Sequence, residues 1–177
     1  FGTYIHLIED YYSKASQNKS SQELENLVDA FKSKRSSVYV DTMISPSYTS
    51  AVAQAIQLPG ISGMENNMVI FEYDRDDPYN LQEIVENYAL VNAGNFDVCI
   101  LGSSRRSLDY KNGIHVWIRS GDYENSHLMI LLSFIIQGHP SWRKSDISIF
   151  DVCKKDQEEE TRKNLEELVQ AGRLPIT

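Results

Sequence analysis

The side chains best suited to chemistry in this chain fall in four short stretches, each following an apolar run. Glu9, Asp10 and Tyr11 follow the first, and Ser45, Pro46 and Ser47 the second. Asp74, Arg75, Asp76 and Asp77 follow the third, and Gly102, Ser103, Ser104, Arg105 and Arg106 the fourth. If the runs are strands of an open α/β sheet, these stretches lie at the carboxyl ends, where such sheets bind ligands. The carboxylates of 74–77 carry the hard oxygens that a divalent cation takes. The same residues suit the cap of a following helix, whose free amides and dipole favour negative charge, and no partner ligands are identifiable elsewhere in the chain. In the fourth stretch, bare backbone at Gly102, the Ser103 amide and the Arg105 guanidinium could hold an anion.

Other chemistries find less. His6, His115, His127 and His139 are widely spaced with no i,i+4 partner, so packing or local hydrogen bonding is expected of them rather than metal ligation. There is no Gly-x-Ser-x-Gly nucleophile elbow. Cys99 and Cys153 each sit in or beside an apolar run, too few for a disulfide framework or a zinc site, and a reducing compartment is expected. Trp117 and Trp142 read as core or interface anchors. No catalytic constellation, metal site or cofactor is expected. With 17 basic against 25 acidic residues the net charge is −8, which disfavours nucleic acid and anionic lipid as partners.

The elements that position these residues can be read from periodicity. Tyr4 to Ile8 reads as a strand. Ser20, Ser21, Gln22 and Glu23 have capping-box spacing, followed by Leu24, Leu27, Val28 and Phe31 on one helical face. Ser37 to Met43 is rich in strand formers. A short helix over 47–58 is expected to bury Tyr48, Val52, Ala55 and Ile56, and Pro59 and Gly60 end it. Met68 to Phe71 is an apolar run. Asp77 and Pro78 suit a helix start, Leu81, Ile84, Val85 and Tyr88 its buried stripe, and Gly94 its C-terminal cap. Phe96 to Leu101 is a further strand.

Gly113 to Ile118 and Ile147 to Val152 are apolar strands flanking the apolar segment Leu128 to Ile136 and the sequence His139, Pro140, Ser141, Trp142. A helix apolar on every side is expected to be buried on every side, and two such strands joined by it make a parallel crossover unit. The segment is less than half the roughly 20 residues needed to cross a bilayer. Gln157 to Leu174 reads as an exposed amphipathic helix with Glu158/Arg162 and Glu159/Lys163 pairs and an inward face of Leu165, Leu168 and Val169. The alternation implies a doubly wound, mainly parallel α/β sheet in two lobes, 1–110 and 111–177. The chain opens at Phe1 in a strand pattern and ends on a helix, so it is expected to be part of a longer polypeptide with the first and last strands of the fold missing.

Two resemblances follow. Asp97 to Arg105 resembles the strand and phosphate loop of universal stress proteins, where the pattern is Gly, two residues, Gly, nine residues, Gly, then Ser or Thr. Here Arg105 stands at the second glycine and Gly113-Ile114 near the far end. The stretch from Lys111, Asn112, Gly113, Ile114, His115, Val116 and Trp117 through Leu128–Ile136 to Trp142, Arg143, Lys144, Ile147, Phe150 and Val152 resembles the cytosolic C-terminal domain of cation-chloride cotransporters. In that family a strand ending in tryptophan leads to a buried Leu-rich helix, a Trp-basic-basic turn and an Ile-x-Ile-Phe-x-Val strand. Upstream, Met64 to Ile70, the helix over 78–93 and Asn95 to Cys99 match the family's order and spacing. The match covers about 24–152. It departs from the family in the turn over 121–125 and in lacking the long phosphorylation-bearing insertions of animal members.

The cotransporter resemblance implies a universal-stress-protein-like fold beneath the membrane helices of the same polypeptide, at the cytoplasmic face of the membrane. There it acts as a non-catalytic regulatory and dimerisation domain of a sodium, potassium and chloride symporter. It implies a homodimer, no cofactor and no nucleic acid. The alternative is a universal-stress-type nucleotide-binding protein using Gly102, Ser103 and Arg105.

Overall fold

A computed structural model describes residues 2–32, 38–60, 64–104, 113–119 and 122–171. Strands and helices alternate: β1 (Gly2–Glu9), α1 (Lys14–Lys32), β2 (Val38–Ser45), α2 (Tyr48–Ala55), β3 (Met68–Asp74), α3 (Leu81–Ala93) and β4 (Asp97–Ser103). After these come β5 (Gly113–Ile118), α4 (Ser126–Gly138), β6 (Asp146–Asp151) and α5 (Glu158–Ala171). The chain divides into two compact units, Phe1–Arg105 and Arg106–Thr177. The class is α/β with parallel strands, but hydrogen bonding joins the described strands only in pairs: β1 with β2, β3 with β4, β5 with β6.

In the first unit, α1 begins six residues before the Ser20 start read from the sequence. Ser13 Oγ accepts the Ser16 amide at 3.1 Å and Ser16 Oγ accepts the Ser13 amide at 2.8 Å. This is a reciprocal box with serine in place of the acid at its third position. Ser20 lies inside the helix, where its hydroxyl meets Thr42 Oγ1 at 2.7 Å and ties α1 to β2. The Leu24, Leu27, Val28 and Phe31 face is half-buried as expected, with Phe31 against Tyr4. Ser47 caps α2, accepting the Ser50 amide. Val52 then joins Phe71, Ile84 and Val91 in the buried cluster of this unit.

The start of α3 and half of its expected stripe differ from expectation: Ile84 is buried, but Val85 and Tyr88 are each more than half exposed. The helix starts at Leu81 rather than at Pro78, because the acidic stretch closes a turn of its own. Asp74 Oδ1 accepts the Asp76 amide at 2.8 Å, and the Asp77 amide donates to the Asp74 carbonyl at 3.2 Å. At the other end Gly94 is the C-terminal cap as expected, with a negative φ, and the left-handed residue is the next one, Asn95, φ 61°, a conformation asparagine tolerates better than most residues.

In the second unit Val116, Ile118, Ile130 and Ile147 form the buried cluster, with Leu168 of α5 and Met129 and Phe134 of α4 packed on it. Period-two alternation sends Val116 and Ile118 to that face and His115 and Trp117 to the other. On the other face Phe150 lies between His115 (4.9 Å, edge-on) and Trp117 (4.7 Å, stacked), and Trp117 stays 54% exposed. Trp117 is therefore not a core anchor, while Trp142 and Phe150 are half-buried and lie outside the buried cluster. On α5 the Glu158–Arg162 pair forms at 3.4 Å, while Lys163 turns forward to Glu167 at 3.7 Å rather than back to Glu159.

Candidate functional site

The loops at the strand ends are built mostly from groups that bond to one another. Beyond β1 and β2, the Asp10 amide donates to the Ser45 carbonyl and Asp10 Oδ1 accepts the Tyr11 amide at 2.7 Å. Glu9 and Asp10 are exposed. Ser45 is fully buried, and its hydroxyl lacks a hydrogen-bond partner among the described residues.

Beyond β3 and β4, the Arg75 amide donates to the Ser103 carbonyl at 2.8 Å, Ser103 Oγ to the Tyr73 carbonyl at 3.3 Å, and Ser104 Oγ to Asp76 Oδ2 at 3.4 Å. Gly102 is crowded on its side-chain side: an added Cβ would come within 2.9 Å of Tyr73 Oη and 3.0 Å of Arg75 Cγ. Gly102 and Ser103 therefore stand together under Tyr73 and Arg75. Arg105 and Arg106 lie outside the described residues.

The histidines stay apart, each in its own setting. His115 meets Phe150, and His139 Nδ1 accepts the Ser141 amide at 3.2 Å. His127 borders a shallow groove with Tyr123, Asn164, Glu167 and Leu168. Among the described residues no three His, Cys, Asp or Glu side chains are grouped to hold a metal ion, and no helix is long and apolar enough to cross a membrane. Burial raises the Cys99 thiol's pKa, with Asp97 adding to it.

Two features went unread in the sequence. Tyr123, in the 3-10 turn Tyr123–Asn125, donates to Asp151 Oδ2 at 3.0 Å. Burial first, then that bond and the Asp151 charge, raises its pKa. No sequence signal announces a pair 28 residues apart.

The second is the outward face of α4. Its inward stripe is Ser126, Ile130 and Ser133, all buried. Each serine hydroxyl is satisfied by the nearby backbone: Ser126 by the Tyr123 carbonyl and Ser133 by the Ile130 carbonyl, both at 2.6 Å. Small residues on this stripe let the helix lie close to its sheet. That leaves Leu131 55% exposed and Ile135 61% exposed on the opposite side, with Ile136 beside them. The expectation of burial on every side thus fails, because one sheet face covers only one side of a helix. The spacing of Ser126 and Ser133 was the available signal.

What the exposed side chains Leu131, Ile135 and Ile136 can do chemically is exclude water against another apolar surface. No protein-family model matches the chain.

Proposed function

We propose that this chain is a non-catalytic regulatory and dimerisation domain of a cation-chloride cotransporter, joined to the membrane part of the same polypeptide at its cytoplasmic face. The observation that carries the reading is the apolar outer face of α4, exposed over Leu131, Ile135 and Ile136. Burying apolar surface is the main favourable term in most protein association, and isolated exposed side chains do not form a run like this one. The resemblance over 111–152 supplies the kind of polypeptide, and the α/β class with parallel pairs is compatible with a universal-stress-protein-like arrangement. Ion selection then belongs to the membrane part, and this domain biases its conformation.

The test is made on the parent polypeptide. Chloride-dependent rubidium uptake in cells expressing it is expected to fall when this domain is deleted. A parent gene encoding no membrane-spanning segment would end the proposal. Titrating ATP into the purified chain is expected to release no binding heat; micromolar binding lost on Ser103→Ala would move the assignment to the nucleotide-binding alternative.

A further inference from the structure

From the charge layout around α4 we infer that a second copy of the chain docks there as an antiparallel, two-fold pair of α4 helices; this rests on the dimerisation reading above. The stretch 126–140 contains no Asp, Glu, Lys or Arg in a chain of net charge −8. Two copies that meet along it bring no charged side chain of the helix against its mate. The ends of the stretch carry opposite signs. Asp122 and the exposed Glu124 outnumber Arg119 before the helix, and the exposed Arg143 and Lys144 outnumber Asp146 after it, so the excess is acidic at one end and basic at the other.

A two-fold axis across the middle of the helix sets residue i of one copy against residue j of the other, and j against i. The acidic end of each copy then faces the basic end of its mate, twice over. A parallel pairing would set Glu124 beside Glu124 and Arg143 beside Arg143. Between the ends, Leu131 of one copy meets Ile135 of the other across the axis. The 13 residues of α4 span about 20 Å, and the exposed apolar seam from Leu131 to Ile136 takes up about 9 Å of that. Glu167 of α5 borders the same groove as His127, so the N-terminal shoulder of the helix is flanked by α5 of its own chain. The seam is confined to the Leu131–Ile136 side.

Sedimentation of the purified chain over a range of concentrations tests this, with far-UV circular dichroism as the folding control. The parent chain is expected to dimerise. Leu131→Glu is expected to weaken the dimer by about 100-fold or more, since two unpaired charges would be buried at the axis. Glu124→Lys and Arg143→Glu are each expected to weaken it by roughly three- to ten-fold at low salt, and the double variant to return within about two-fold of the parent.

A chain that stays monomeric at every concentration would overturn the dimerisation reading and this inference with it. A dimer indifferent to Leu131→Glu would overturn this inference alone. Failure of the double variant to recover would overturn the antiparallel pairing. The charge swaps lie on exposed residues and keep the test decisive even where Leu131→Glu fails to fold.

Discussion

The loops beyond β3 and β4 and the outer side of α4 are opposite cases of unmet potential. In the loops, polar groups that could serve a ligand bond to one another: Ser103 to Tyr73, Ser104 to Asp76, and Asp74 to the Asp76 amide. On α4, apolar groups that could serve a core are left outside it. A polar group in water loses little when it has no protein partner, because water hydrogen-bonds to it. An apolar side chain has no such substitute, and only another apolar surface relieves it. The difference places the strongest pull toward a partner on the helix rather than at the strand ends.

The contrast can be broken hardest within α4 itself. Ile130, 3% exposed, and Leu131, 55% exposed, are neighbours in sequence about 100° apart around the helix, one turned to the sheet and the other away from it. Ile130→Ala is expected to cost about 2–5 kcal/mol, the range for truncating a buried aliphatic side chain. Leu131→Ala is expected to cost under about 0.5 kcal/mol at concentrations where the chain is monomeric. Urea unfolding of both variants checks this. Equal losses would mean that α4 is buried on both sides after all.

Much of the fold could be read before any coordinates, and the pattern of success has a physical basis. The strands were found because apolar runs of four or more residues leave few alternatives. The order of strands and helices follows from them. Helix starts were harder. At α1 the start depends on Ser13 and Ser16, whose mutual hydroxyl–amide bonds look in sequence like an ordinary polar stretch. At α3 the expected cap was lost because Asp74 bonded its own loop first. Both are local competitions between side chain and backbone that residue type alone does not decide. The exposed side of α4 was missed because composition reports how apolar a helix is, not how much sheet is present to cover it. The Gly102 stretch was located correctly as a strand end, but the Tyr73 ring above it depends on the register that pairs Tyr73 with Gly102.

The Tyr123–Asp151 bond is a smaller and pH-dependent test of the second unit. Its loss in Tyr123→Phe is expected to cost about 0.5–1.5 kcal/mol at neutral pH, the net worth of such a bond. Because the folded-state pKa of Tyr123 is raised above the ordinary tyrosine value of 10.0, the folded chain holds this proton more tightly than the unfolded one. The contribution is therefore complete below pH 10 and drains away as pH rises toward the folded-state value. Tyr48 and Cys99 shift the same way and add to the alkaline loss. Urea midpoints measured from pH 8 to 11 should converge for parent and Tyr123→Phe chains at the alkaline end. A constant gap across that range would show that the hydroxyl is not what stabilises the turn.

The smallest effect belongs to Gly102, at the polar end of the comparison. An alanine there would bring its Cβ within 2.9 Å of Tyr73 Oη and 3.0 Å of Arg75 Cγ. Tyr73 Oη is the tip of its side chain and Arg75 Cγ lies near the base of a flexible one, and a rotamer change of about 30° costs on the order of 0.5–1.5 kcal/mol. Moving from glycine to alanine also removes conformational freedom from the unfolded chain, worth about 0.4–1 kcal/mol in the opposite direction. The two nearly cancel, so Gly102→Ala is expected to leave the urea midpoint almost unchanged while altering the environment of Tyr73, readable in its ring proton shifts. A glycine kept bare to let a phosphate approach would share that unchanged midpoint but differ in its ligand: the alanine would abolish a measurable nucleotide affinity. ATP titration of the parent and the variant therefore separates a glycine that fits under a tyrosine from one that waits for a ligand, and the urea midpoint serves as the folding control.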